Sequence, residues 1–309
     1  MHLESNADLS VEVFLSLTHH FFHRDGTPRP FRLREKRNTQ DDPLDEHICA
    51  ILDNDLRGDI TVAGAPGPLV TPDMVIHRPA LCNSTPKDSL RDDSTAIIGL
   101  EVKKLQRGSS GKIARPSGMD YNTTPPCGTM RIYDRRKAVL DVRGFYLFVC
   151  QEDVSEEDRT YQVTALVLCD GNMLNEDFAY YLSVVGQRSK EIGLGTFGDG
   201  ANRLRPMLIF ANPLGAQFLD YDSTLIHVSI NLQTEHPSLY RAGSIERAIA
   251  GDADRGIRVF HCYHDRRNRG AAPESAVPFR HLDPFPTPNR SEATVPRGRF
   301  ILDVCPSMQ

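Results

Sequence analysis

Three residues with side chains suited to metal-assisted chemistry lie in two short apolar segments of this chain. Asp73 follows Pro72 at the start of the first segment, and Glu101 and Lys103 lie in the second, which runs from Ala96 to Lys104. Residues two apart on a β-strand share one face, so Glu101 and Lys103 are expected to point the same way. Two hard oxygen ligands beside an ammonium group are suited to a divalent-metal site.

The expected metal is Mg²⁺ or another divalent ion, held by Asp73, Glu101 and the backbone carbonyl of Val102. Such an ion activates water and stabilises a phosphorane-like transition state. Lys103 is placed to orient or deprotonate that water, or to stabilise the attacked phosphate. The constellation therefore predicts phosphodiester hydrolysis. Each of the two motifs alone is common, since Pro-Asp begins many turns and Glu-x-Lys occurs on solvated strand faces. The apolar strand beside each motif and the order of the motifs along the chain favour a metal site.

The residues Pro72, Asp73, Glu101, Val102 and Lys103 together resemble the Pro-Asp...(Asp/Glu)-x-Lys superfamily of nucleases, and within it the type II restriction endonucleases. The resemblance implies an α/β (α+β) fold with a central mixed β-sheet flanked by helices. It also implies Mg²⁺ dependence, sequence-specific cleavage of double-stranded DNA and a homodimer that cuts both strands. A cognate DNA methyltransferase is expected in the same system. A glutamate on an early helix can complete such a site, and Glu46 is the candidate, with a surface carboxylate as the alternative.

Apolar periodicity predicts the elements around these residues. A four-residue step predicts helices from Leu9 to Phe22 and from Leu44 to Leu56, and Gly58 to Pro68 is interpreted as a connection. Further predicted elements are a helix at Asp177 to Gln187 and strands at Thr129 to Tyr133, Gly144 to Cys150, Tyr161 to Cys169, Met207 to Phe210, Leu225 to Leu232, Ile257 to Tyr263 and Phe300 to Val304. We therefore expect a single nuclease domain over residues 1–309, with a helical part to about residue 60, a catalytic and recognition core at about 69–235, and a basic Pro/Arg-rich C-terminal extension.

Sequence-specific cleavage needs side chains that read base edges, and arginine, asparagine and acidic residues are the usual readers. A long polar segment after Lys104 supplies them. The candidates for DNA contact are Arg115, Asp120, Asn122, Arg131, Arg135 and Arg136, with Arg266 and Arg267 as a second basic group. Phosphate contacts, turn capping and solvated charge are the alternatives for these residues.

The composition of the chain argues against several classes of protein but does not indicate an activity. A formal net charge of -5 argues against a nonspecific polyanion binder. The seven cysteines show no Cys-x-x-Cys spacing, so neither a zinc site nor a disulfide framework is indicated. No apolar run is long enough to span a bilayer, and Met1 to Asp8 does not resemble a signal peptide, so no membrane partner is expected. These features are typical of a cytoplasmic protein of a bacterium or archaeon.

Two other functions are consistent with the same residues. One is a structure-specific nuclease of DNA repair or of a mobile element, whose irregular loop would contact mainly the DNA backbone. The other is a non-catalytic DNA-binding protein with a nuclease-like sheet, in which Glu101 and Lys103 would be dispensable.

Overall fold

The computed structural model describes residues 7–38, 41–56, 58–67, 70–107, 128–155, 157–173, 196–197, 223–248, 257–267 and 298–302. Over these ranges the chain is an α+β protein with a mixed, open central sheet of many strands and a few helices. No helix within them combines the length and apolar character needed to cross a membrane. The predicted helix at 177–187 and the predicted strand at 207–210 lie outside the described residues.

Two longer helices lie before the central strands, and both are capped by an aspartate. Helix α1 (Leu9–Phe21) begins at Asp8, whose carboxylate accepts a hydrogen bond from Ser10 N at 2.9 Å. Helix α2 (Pro43–Asp55) begins at Asp42, which accepts from Leu44 N at 3.1 Å. Such caps satisfy amide groups that the first helical turn leaves free. Both helices confirm the predicted positions, and their apolar faces pack against the sheet.

The strands account for most of the remaining described residues. They are β1 (Phe31–Arg32), β2 (Thr61–Gly64), β3 (Val70–Thr71), β4 (Met74–His77), β5 (Ile97–Arg107), β6 (Thr129–Asp134), β7 (Val139–Ser155), β8 (Thr160–Asp170), β9 (Thr196–Phe197), β10 (Ser223–His227), β11 (Leu239–Ala248), β12 (Ile257–Asp265), β13 (Gly298–Arg299) and β14 (Ile301–Leu302). Further regular elements in the described ranges are the short helices α3 (Pro79–Ser84) and α4 (Leu232–Glu235) and a short 3-10 turn (Lys87–Ser89).

Two sequence predictions need correction. The connection predicted at Gly58 to Pro68 contains β2, which pairs with β4 and was missed because a four-residue strand gives almost no periodic signal. The strand predicted at Leu225 to Leu232 ends at His227, and Leu232 begins α4 instead. Ser229 and Asn231 separate the two elements, and polar residues of this kind favour turns.

The central sheet follows the order β11-β12-β10-β8-β7-β5-β4-β2. Strands β2, β4 and β5 form an antiparallel meander, and β5 then pairs in parallel with β7. Because β7 and β8 are antiparallel, β8 and β10 parallel, and β10 and β12 antiparallel, strand β12 runs in the same direction as β5. The carboxyl ends of β5, β7 and β12 therefore lie at one end of the sheet.

The two faces of the sheet contribute to two separate hydrophobic clusters. On β5, Ile98, Leu100 and Val102 pack in the cluster that contains the residues of α1 and α2. Ile97 belongs to the other cluster, with residues of β6 and β7. Alternation along β5 places Gly99, Glu101 and Lys103 on the face of Ile97. The two polar residues of the Glu-x-Lys motif thus share one strand face, as predicted.

Candidate active site

Strand pairing brings Asp73 beside the Glu-x-Lys segment. Met74 of β4 lies opposite Leu100 of β5, so the preceding residue, Asp73, lies level with Glu101. The Asp73 carboxylate accepts a hydrogen bond from Val102 N at 2.8 Å through Oδ2. The Asp73 carbonyl accepts another from Ala65 N at 2.8 Å. Backbone groups of two neighbouring segments therefore fix this aspartate at the end of the meander.

Glu101 and Lys103 form a buried ion pair. The Lys103 Nζ donates to Glu101 Oε1 at 2.7 Å, and the two side chains are only 8% and 4% exposed. Gly99 lies on the same strand face, where Met130 and Pro72 pack directly against the backbone. A Cβ at this position would lie 2.8 Å from the Met130 sulfur and 3.2 Å from Pro72 Cγ. The glycine thus allows the Pro72-Asp73 segment to approach β5 closely.

Helix α2 adds an acid that the sequence did not single out. Burial is the main cause that raises the pKa of Asp45 well above its ordinary value, and the charge of Asp73 is the next. The nearby ammonium groups of Lys103 and Lys104 offset this effect only in part. Asp45 therefore lies within electrostatic reach of both Asp73 and the lysines of β5. The sequence signal available was its position in the first turn of a helix that begins with Asp42-Pro43.

Glu46, the acid proposed from the sequence, is engaged by two arginines. Its carboxylate accepts from Arg34 Nε at 2.6 Å and lies 3.7 Å from Arg37, and its side chain is 55% exposed. The structure thus brings Asp45, rather than Glu46, next to Asp73. Successive helical residues differ in direction by about 100°, because 3.6 residues complete one turn. The choice between two adjacent acids depended on the packing angle of α2, which the sequence does not define.

A cleft of about 750 Å³ opens beside these acids. Six carboxylates line it, and they belong to Asp41, Asp42, Asp45, Glu46, Asp53 and Asp73. Two arginines, Arg34 and Arg37, also line it, so the formal charge of the lining is 2 − 6 = −4. Glu101 and Lys103 lie on the strand next to Asp73 and are not part of the cleft lining. An acidic cleft of this size favours a cation over a bare anion.

The residues predicted to contact DNA lie in different environments. Arg131 of β6 makes two hydrogen bonds to the carboxylate of Asp141, at 2.9 and 3.1 Å, which partly neutralises it. Arg135 and Arg136 are exposed in the turn between β6 and β7. Arg115, Asp120 and Asn122 lie outside the described residues.

The second basic group lies at the far side of the sheet from the acids. Arg266 donates through Nε to the carbonyl of Leu239 at 2.8 Å, and Arg267 is exposed. Both follow β12, which is separated from β5 by β10, β8 and β7. With strands about 4.8 Å apart, that separation is roughly 19 Å. The group therefore lies at the same end of the sheet as the candidate site but well away from it.

The described residues include no cluster of three or more His, Cys, Asp or Glu side chains that is arranged to hold a metal ion. The observed donors are instead a carboxylate held by a backbone amide, Asp73, and one held by a lysine, Glu101. Compared with known proteins, the chain matches no family model, no curated protein and no solved structure.

Proposed function

We propose that this chain is a Mg²⁺-dependent endonuclease that hydrolyses phosphodiester bonds of double-stranded DNA at specific sequences, as type II restriction endonucleases do. The observation that carries the proposal is the convergence of Asp73, Glu101 and Lys103 on adjacent strands, with Asp45 brought to them by α2. Acids from separate elements within electrostatic reach of each other are an unusual arrangement for a purely structural role, because neighbouring carboxylates repel each other.

The donor set suits Mg²⁺ better than zinc. Mg²⁺ binds through one or two carboxylates and completes its coordination with water and substrate phosphate, so it needs no cage of three protein side chains. Asp73 and Asp45 would hold the ion, with Glu101 behind them. Their mutual repulsion, expressed in the raised pKa of Asp45, is what a cation would relieve. When bound, the ion supplies positive charge that stabilises a phosphorane-like transition state.

Lys103 has the second role in the proposed reaction. Its ammonium group donates one hydrogen bond to Glu101 Oε1 at 2.7 Å and has two further N–H groups. These donors can hold the attacking water or a non-bridging oxygen of the scissile phosphate. The ion pair with Glu101 fixes the position of the ammonium group, and fixed charges in a site shielded from water stabilise transition states most effectively.

The proposed substrate requires basic surface near this acidic cleft. Arg135 and Arg136, which are exposed, are the proposed phosphate or base contacts nearest to β6 in the described residues. The proposed assembly is a homodimer, because two copies of one site are needed to cut both strands. Arg115, Asp120 and Asn122 remain proposed base readers.

The test is incubation of the purified protein with phage DNA and Mg²⁺. The informative variant is Asp73→Asn, because the amide oxygen still accepts from Val102 N while the charge is lost. Asp88→Asn is the matched control, since Asp88 is exposed in a short 3-10 turn before β5. We expect discrete fragments with the wild-type protein and Asp88→Asn, and none with Asp73→Asn. Absence of cleavage with every divalent metal would overturn the proposal, and cleavage confined to branched or flapped DNA would favour a structure-specific nuclease.

A further inference from the structure

A second cavity lies between the end of α1 and the end of β12. It has a volume of about 210 Å³, and its polar lining includes Thr18, His19, Arg24, Arg29, Asp265 and Arg267. None of these residues belongs to the candidate active site. We refer to this cavity as the α1–β12 pocket.

The lining of the α1–β12 pocket is positively charged. Three arginines oppose one carboxylate, so its formal charge is 3 − 1 = +2 with the histidines neutral. The single carboxylate, Asp265, is fully buried and already accepts from His19 Nε2 at 2.6 Å and from Arg267 N at 3.0 Å. The Arg267 side chain is farther from it, with Nε at 3.8 Å. The exposed guanidinium of Arg24 has no hydrogen bond or ion pair with another described residue.

Carbonyl groups at the end of a helix normally repel anions, and here the last carbonyl of α1 and the two that follow it are capped. The Phe21 carbonyl accepts from Arg29 N at 2.7 Å, and the Phe22 carbonyl accepts from Arg29 Nε at 3.0 Å. The His23 carbonyl accepts from Gly26 N at 3.0 Å. Arg29 therefore satisfies the helix end with its backbone and Nε, while its Nη groups remain as further donors.

Guanidinium groups are the donors that this lining offers. Thr18 also belongs to the lining, but its Oγ1 is buried from solvent and does not face the open space of the cavity. Three guanidinium groups beside one carboxylate that is already engaged are a donor set suited to an oxyanion.

We propose that the α1–β12 pocket binds a phosphate group through Arg24, Arg29 and Arg267. Guanidinium groups match the geometry of phosphate oxygens and bind them with two parallel hydrogen bonds. The source of this phosphate rests on the proposed function: it is a backbone phosphate of the bound DNA. Strand register places Tyr263 of β12 level with Val102 of β5, through Leu225, Leu168 and Leu147. The four strand spacings between them, roughly 19 Å, correspond to about five or six base-pair steps of a duplex.

The first arm of the test uses inorganic phosphate alone, in EDTA at low ionic strength, with binding measured by calorimetry. We expect the double variant Arg24→Ala/Arg267→Ala to bind at least about tenfold more weakly, because each charge-assisted contact contributes substantially. Arg91→Ala is the matched control, since Arg91 is an exposed arginine before the start of β5. Thr18→Val should leave phosphate binding unchanged and raise the unfolding midpoint, because it removes a buried hydroxyl that lacks a partner and does not face the cavity.

The second arm measures binding of a 30-base-pair duplex to the same variants in an Asp73→Asn background without metal, so that cleavage plays no part. Each lost contact with a DNA phosphate should reduce the slope of the logarithm of the binding constant against the logarithm of salt concentration by about 0.9. Loss in both arms supports the pocket with DNA as the source of the phosphate. Loss of inorganic phosphate alone supports the pocket with a free phosphorylated ligand.

The proposal is overturned if the wild-type protein binds no phosphate and the double variant binds duplex as Arg91→Ala does. It is also overturned if Arg91→Ala loses as much affinity as the double variant. DNA cleavage by a protein with an inert pocket would refute this inference and leave the proposed function standing. Phosphate binding in this pocket by a protein that cuts no DNA would refute the proposed function and leave this inference standing.

Discussion

Replacement of Lys103 by methionine tests whether the buried ion pair holds the candidate site together. The Lys103 ammonium lies 2.7 Å from the Glu101 carboxylate, and the side chains are 8% and 4% exposed. Lys103→Met keeps most of the side-chain volume but leaves the buried carboxylate without its lysine counter-charge. Breaking a buried pair by removing one partner costs about 3 to 5 kcal/mol of unfolding free energy. That is a large share of the roughly 5 to 15 kcal/mol that stabilises a typical domain.

The neighbouring lysine provides the matched control. Lys104 Nζ lies 2.9 Å from the Asp42 carboxylate, but these side chains are 15% and 30% exposed. Water screens such a pair, and exposed pairs contribute about 0 to 1 kcal/mol. Lys104→Met is therefore expected to lower the unfolding free energy by about 1 kcal/mol, several-fold less than Lys103→Met.

The assay is urea unfolding at neutral pH in EDTA, with a double-mutant cycle. Lys103→Met/Glu101→Leu should recover most of the lost stability, because replacing a buried pair by apolar side chains is often neutral. Neither variant should cleave DNA, so stability should return without activity.

Two results would refute this reasoning. One is a loss in Lys103→Met no larger than that in Lys104→Met, which would mean that the pair is solvated. The other is a double variant as unstable as the single one, which would assign the loss to packing rather than to charge.

Three further predictions concern charge, pH and packing. Asp45→Asn should raise the unfolding midpoint at neutral pH without metal, because burial and the charge of Asp73 raise the pKa of Asp45; it should also reduce the stabilisation by Mg²⁺ in thermal melts. Burial lowers the pKa of His264 from 6.5 to about 4, so the unfolded chain binds more protons in this interval. The free energy of unfolding should therefore fall by about 2 kcal/mol between pH 7 and 5 from this residue alone, and His264→Asn should flatten that dependence in urea titrations. Gly99→Ala should destabilise the protein by about 1 to 3 kcal/mol, because the added Cβ would overlap Met130, and cleavage assays should show reduced activity.

Each of these predictions has an opposite outcome. A lower unfolding midpoint for Asp45→Asn would mean that the carboxylate is a required hydrogen-bond acceptor. Unchanged pH dependence in His264→Asn would mean that the ring is hydrated in the folded state. A Gly99→Ala protein as stable and active as the wild type would show that Met130 repacks freely.

The helices and several strands of the described chain were predictable because local patterns define them. The four-residue apolar step from Leu9 onward predicted α1, and the nearly continuous apolar runs predicted the centres of β7 and β8. Such runs are expected where a strand is buried on both faces. Strand ends were less accurate: β7 extends from Val139 to Ser155, because its first part pairs with β6 and its last part with β8.

The candidate site was predictable only where its residues share one strand. Alternation along β5 is a local property, so the common face of Glu101 and Lys103 followed from the sequence. The identity of the helical acid did not follow, because Asp45 and Glu46 are adjacent and both are plausible ligands by type. The ion pair of Glu46 with Arg34 and the approach of Asp45 to Asp73 depend on how α2 packs.

The sequence by itself determined the residue types at the site, the helices that flank it and the spacing that puts a carboxylate beside a lysine. Only the tertiary structure decided which residues from separate elements meet. Asp73 reaches Val102 N across a strand pair, and His19 meets Asp265 although the two are 246 residues apart. The physical reason is that periodicity reports the burial of each element separately, whereas strand register and helix packing depend on contacts between segments that are distant in the chain.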